Sequence, residues 1–159
     1  MIKKTDSMIL INYNVDEVGW RINFPDFKKY ISKTVNETIE IMGIKVPQNI
    51  SVSFFLTSDQ KIKDLNMKYR KKNKATNVLS FPMQSNYEKD FCLGDIALAN
   101  QILLKESIEL KVTKYDYLCK MTIHGMLHLL GYNHETEKQF NQMNKYENLI
   151  FKSVKYHLC

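Results

Sequence analysis

Up to Ala99 the apolar positions recur with two different periods, and beyond Asn100 only the helical period persists. Met8 to Tyr13 reads as a first strand. Pro25 and Asp26 then open a helix on which Phe27, Ile31, Val35, Ile39 and Met42 hold roughly helical spacing as far as Gly43. From Ile50 to Thr57 the period drops to two, with Ile50, Val52, Phe54 and Leu56 on one face, as in a half-buried strand. Thr57 and Gln60 have the spacing of a capping box, and Ile62, Leu65 and Tyr69 carry the helix that follows. Asn77 to Met83 and Phe91 to Ala99 read as two more strands. The polar stretch Gln84 to Asp90 between them would turn a hairpin, and Pro82 suits a strand end or edge.

The rest of the chain is helical in pattern. A short helix runs from Asn100 to about Glu109, and Thr113 with Asp116 opens a long one through Leu130. After Gly131 a final helix starts near Glu135, with Phe140, Met143, Ile150 and Val154 as its core stripe. No internal repeat and no Pro/Gly/Ser linker divides the chain. The expectation is an α+β fold: one small domain over residues 1–159, with a mixed four-stranded sheet and about five helices.

Composition adds limits. Hydrophobic residues make up 44% and charged residues 25%, as in an ordinary globular protein of this length. No apolar run approaches the roughly 18 to 20 residues of a membrane span, and Met8 to Ile11 is too short for the apolar core of a secretory signal. Cys92, Cys119 and Cys159 are odd in number and widely spaced, which points to buried thiols and away from a disulfide framework. A cytoplasmic protein without a membrane partner is expected. The formal charge of +6 and pI near 9.1 favour an anionic partner. Much of that charge sits in KYRKKNK, Lys68 to Lys74, with five cations in seven residues. Such a run is either a solvated face or a strip that meets phosphates.

The chemistry concentrates in HGMLHLLGYNH, residues 124 to 134, which holds three of the four histidines. His124 and His128 are four apart, so in a helix their rings share one face. Gly131 can take the left-handed conformation that ends helices, which lets the chain fold back and present His134 as a third ligand. Three imidazoles suit one Zn²⁺ per chain with a fourth position left open, as in a catalytic site, so a metal cleft near the C-terminal helices is expected. His157, alone near the C-terminus, reads as a surface or packing residue. The spacing also matches the zinc protease motif HExxHxxGxxH, but Gly125 stands where those enzymes carry the glutamate base. Peptide hydrolysis by that route lacks its proton acceptor, and Gly125 instead allows a close approach by backbone or substrate.

Together with LNMKYRKKNKATNVLSFP (Leu65 to Pro82) and LGDIALA (Leu93 to Ala99), the histidine block resembles the YbeY family of bacterial endoribonucleases. The resemblance spans roughly residues 50 to 150. It implies a zinc-dependent, single-strand-specific endoribonuclease of ribosomal RNA maturation, notably at the 3′ end of the small-subunit RNA, and of ribosome quality control. The implied partners are single-stranded RNA, ribosomal RNA and the small ribosomal subunit. Carried over, His124, His128 and His134 are the metal ligands and Arg70 is the basic residue of the cleft. Arg70 and His124 are then the catalytic candidates, and Arg70, Lys71 and Lys72 bind substrate. Arg suits that place because its planar fork binds phosphate bidentately. Asp95 is expected to be a structural partner of the histidine region, and Thr76 and Ser80 could touch substrate. Asn133 and Asn73 depart from the family pattern, standing where Asp is usual. A zinc hydrolase of another substrate class, such as a peptidase, and an assembly factor with a structural zinc remain as alternative readings.

Overall fold

A computed structural model of the chain describes residues 8–44, 49–83 and 90–158. Four strands form one sheet in the order β1-β2-β4-β3, where β1 is Met8–Val15, β2 Asn49–Thr57, β3 Val78–Pro82 and β4 Asp90–Ala99. β1 and β4 run parallel to β2, and β3 runs antiparallel to β4 as the edge strand. The expected mixed sheet is present. The turn expected over Gln84 to Asp90 lies almost wholly outside the described residues.

Among the described residues six helices surround the sheet: α1 Gly19–Asn23, α2 Phe27–Ile41, α3 Asp59–Arg70, α4 Asn100–Glu109, α5 Lys114–Leu129 and α6 Glu137–Leu158. The one not foreseen, α1, is a single turn, too short to show a period. It nevertheless supplies wholly buried Trp20, whose indole donates to the Thr57 carbonyl at 3.0 Å. The main core lies between the sheet and α2 and α5, and includes Phe24, Ile31, Phe54, Ile96, Leu118 and Met126. Each such side chain contributes about 1.5 to 3 kcal/mol by leaving water. α6 packs outside α5 through Met143, Ile150 and Val154 against Cys119, Ile123 and Leu127. The opposite sheet face is covered by α3, through a small cluster of Ile62, Leu79, Ala97 and Ala99 against which Ile102 of α4 also packs.

Three local expectations are corrected. Thr57 does not cap α3: it ends β2, and its hydroxyl is buried without a hydrogen-bond partner. Ser58 is the cap, accepting the Lys61 N–H at 3.2 Å, because its extended backbone stands directly before the first helical residue, Asp59. Phe140 is 55% exposed, since it lies on the first turn of α6, before that helix meets α5. Of the cysteines, Cys119 is buried and Cys92 half-buried, and Cys159 lies outside the described residues.

Candidate metal centre

The end of α5 builds the site. The Gly131 N–H donates to the His128 carbonyl and the Tyr132 N–H to the Leu127 carbonyl, both at 3.0 Å, with Gly131 at φ +94°. This is a Schellman closure, with Tyr132 and Leu127 packed in one apolar cluster as that motif favours. The same reversal returns the Tyr132 carbonyl to His128 Nδ1 at 2.9 Å. A carbonyl only accepts, so Nδ1 carries the proton and His128 Nε2 is left as a lone-pair donor.

His124 is fixed in the same way from a different element. Its Nδ1 lies 2.7 Å from Glu147 Oε1 on α6, and its Nε2 lies 3.0 Å from His128 Nε2. His134 follows the turn and brings its ring centre to 5.4 Å from that of His124 and 5.0 Å from that of His128. One ligand atom from each of the three lies within 4.8 Å of the other two. Burial, followed by the charges of His124, His134 and Arg70, holds His128 below the usual imidazole pKa, the effect of burial being partly offset by its bond to Tyr132. The neutral form that a metal needs is thereby favoured.

The histidines open into a cleft of about 590 Å³. Arg70, Lys72 and Lys74 line it, and among the described residues Glu135 is the one carboxylate on its wall. Arg70 is held by donating from Nη2 to the Ser80 carbonyl on edge strand β3 at 2.7 Å, with its guanidinium over the Phe81 ring. Lys71 and Lys72 separate here. Lys71 takes a left-handed conformation at the end of α3, and its ammonium lies 3.4 Å from the Lys68 carbonyl, away from the residues lining the cleft. Lys72 follows the turn into it.

Thr76 lines the cleft, but the Ser80 hydroxyl is buried and donates to the Gly125 carbonyl at 3.1 Å, so Ser80 contributes its backbone. Gly125 itself faces the sheet. A Cβ there would stand 3.1 Å from Ile96 and 3.2 Å from Ser80, so its bareness serves helix-on-sheet packing and not the approach of substrate. Asp95 is corrected most plainly: it faces the other side of the sheet, beside Tyr69 and Phe81, because its neighbours Gly94 and Ile96 take the α5 side. Asn133 is an exposed wall residue, and the partners that orient the histidines are Glu147 and the Tyr132 carbonyl.

Glu147 was not anticipated. A ligand histidine usually gives its second N–H to a carboxylate or carbonyl, and α6 carries two carboxylates, Glu137 and Glu147.

The model of the family described as endoribonuclease YbeY matches residues 14–155. The chain belongs to the YbeY family. YbeY from Buchnera aphidicola of Acyrthosiphon pisum is 38% identical over 133 residues, covering 82% of this chain and 79% of that one. YbeY from Bartonella bacilliformis is 33% identical, covering 92% and 94%. The solution structure of TM1509 from Thermotoga maritima aligns over 94% of this chain and 93% of its own, with a TM-score of 0.51 and 25% identity. In this YbeY chain the donor set fits a transition metal. Three imidazoles converge, and two of them have Nδ1 engaged by an acceptor, which aims the Nε2 lone pairs inward.

Proposed function

We propose that residues 1–159 form one zinc-dependent endoribonuclease domain that cuts single-stranded RNA. Its work is the maturation of ribosomal RNA, notably the 3′ end of the small-subunit RNA, and the quality control of ribosomes in the cytoplasm. The YbeY membership supports the RNA substrate. One observation carries the mechanism: three convergent imidazoles share a cleft with Arg70, Lys72 and Lys74.

His124, His128 and His134 would hold the zinc. When bound it acts as a Lewis acid toward a phosphodiester and as an activator of water. Glu147 and the Tyr132 carbonyl keep two of the three rings in the ligand tautomer. Arg70 commits one N–H to the Ser80 carbonyl and keeps the others for phosphate, so charge building on the phosphoryl oxygens meets a guanidinium already in place. Lys72 and Lys74 hold the backbone on either side. The outward backbone of edge strand β3 and the polar Thr76 and Asn77 face an unpaired strand, whose base edges are open to them. Position 125 is packed against Ile96, so a peptidase would need its base elsewhere in the cleft.

The test pairs metal analysis with cleavage of a single-stranded RNA by zinc-loaded wild type, His128→Ala and Arg70→Ala. The expected result is zinc and activity lost together in His128→Ala, and zinc kept but activity lost in Arg70→Ala. RNA cleavage that survives complete removal of the metal would refute the proposal.

A further inference from the structure

A second cavity, of about 610 Å³, lies behind the wall that bounds the histidine cleft. The C-terminal end of α3 and strand β3 form that wall. Consecutive residues face opposite ways across it: Tyr69 lines the second cavity and Arg70 the first, as do Phe81 and its neighbours Ser80 and Pro82. Tyr69 is 55% exposed and meets Phe81 in a T-shaped contact with ring centres 5.3 Å apart, and the Lys68 ammonium lies over one face of its ring. The floor is a row running straight across the sheet. Asn12 pairs with Ser53, Ser53 with Asp95 and Asp95 with Phe81. Among the described residues Asp95 has no hydrogen bond or ion pair, and no Lys or Arg lines this cavity.

We propose that this cavity is a nucleobase subsite for the RNA strand whose backbone crosses the histidine cleft, and that it selects guanine. The inference rests on the endoribonuclease reading above. A carboxylate without a cation disfavours phosphate, whereas it accepts well from a base edge with two adjacent N–H donors, and among the bases that edge is guanine's N1–H and N2–H. Unpaired bases in RNA sites stack on exposed aromatic rings and are read by their edges. Tyr69 supplies the ring, Asp95 the acceptor, and the Ser53 hydroxyl and Asn12 amide the flanking polar groups. The cations stand where the attached phosphates would pass: Lys68, whose ammonium lies 5.1 Å from the Tyr69 ring centre, and Arg70, across the wall. A strand bound at Arg70 therefore places the neighbouring base over this partition.

The experiment measures binding by fluorescence anisotropy, with chelator present so that no strand is cut. The probes are uridine-rich single strands carrying one guanosine, inosine or adenosine. Wild type is expected to bind the guanosine strand about tenfold more tightly than the other two, inosine lacking only the 2-amino group. Asp95→Asn should abolish that preference. Tyr69→Ala should weaken binding of every strand about tenfold, and Tyr69→Phe, which keeps the ring, should restore it. Equal affinities for the three strands in wild type, or Tyr69→Ala binding like wild type, would overturn the subsite and assign the face to another partner. Cleavage of the same strands by the zinc-loaded protein separates the two levels. RNA cut without base preference removes only the subsite, whereas RNA neither bound nor cut removes the endoribonuclease reading itself.

Discussion

Removing the Glu147 carboxylate should weaken the metal site without weakening the fold. Glu147 Oε1 is 2.7 Å from His124 Nδ1, and the two side chains are 29% and 25% exposed. A contact so open to water is weak, so metal-free Glu147→Ala should lose no more than about 1 kcal/mol of stability. The effect on metal is larger. Without its acceptor His124 is free to flip or change tautomer, and partners of this kind are typically worth about 10- to 100-fold in affinity, or about 1.4 to 2.7 kcal/mol. Glu147→Gln keeps an oxygen acceptor and loses the charge, so its affinity should fall between the two. Zinc affinity measured by competition against a chromophoric chelator, beside thermal unfolding of the metal-free protein, gives both quantities. An unchanged zinc Kd in Glu147→Ala would refute the positioning role, and so would a drop of several kcal/mol in the metal-free stability, which would make Glu147 part of the packing.

Gly125→Glu, which restores the residue found in the zinc protease motif, should destabilise the protein by several kcal/mol and create no peptidase activity, as thermal melts and a casein assay would show. The new side chain meets Ile96 and Ser80 at the helix-sheet contact, where neither its volume nor its charge is accommodated. Asn133→Asp should raise zinc affinity by no more than about threefold in the same chelator competition, because the side chain is exposed and its charge is screened. The metal-free protein should lose stability as the pH falls below about 6.5. Unfolded His128 takes up a proton there, whereas the folded residue, with its pKa lowered chiefly by burial, does so only at lower pH. Chemical denaturation from pH 7.5 to 5 should show this slope, and His128→Asn should reduce it.

Local pattern determined much of this molecule. The alternation of Ile50, Val52, Phe54 and Leu56 sets which face of β2 is buried, and the spacing of His124, His128 and Gly131 sets the ligand face and its break. Both are short-range facts, read directly from the period of a strand or a helix and from the one residue type that reverses a helix freely. Tertiary structure decided what each face meets. Asp95 adjoins the glycine that packs beneath β3, yet its own face opens on the far side of the sheet. Lys71 and Lys72 are neighbours in one basic run, and the left-handed turn at Lys71 sends only Lys72 into the cleft. Phe140 fits the stripe of α6 and lies beyond its contact. Glu147, 23 residues after His124, reaches it because α6 folds back along α5. The physical reason is common to all four. Periodicity states the direction in which a side chain points, whereas its partner depends on contacts between elements distant in sequence, which no local pattern encodes.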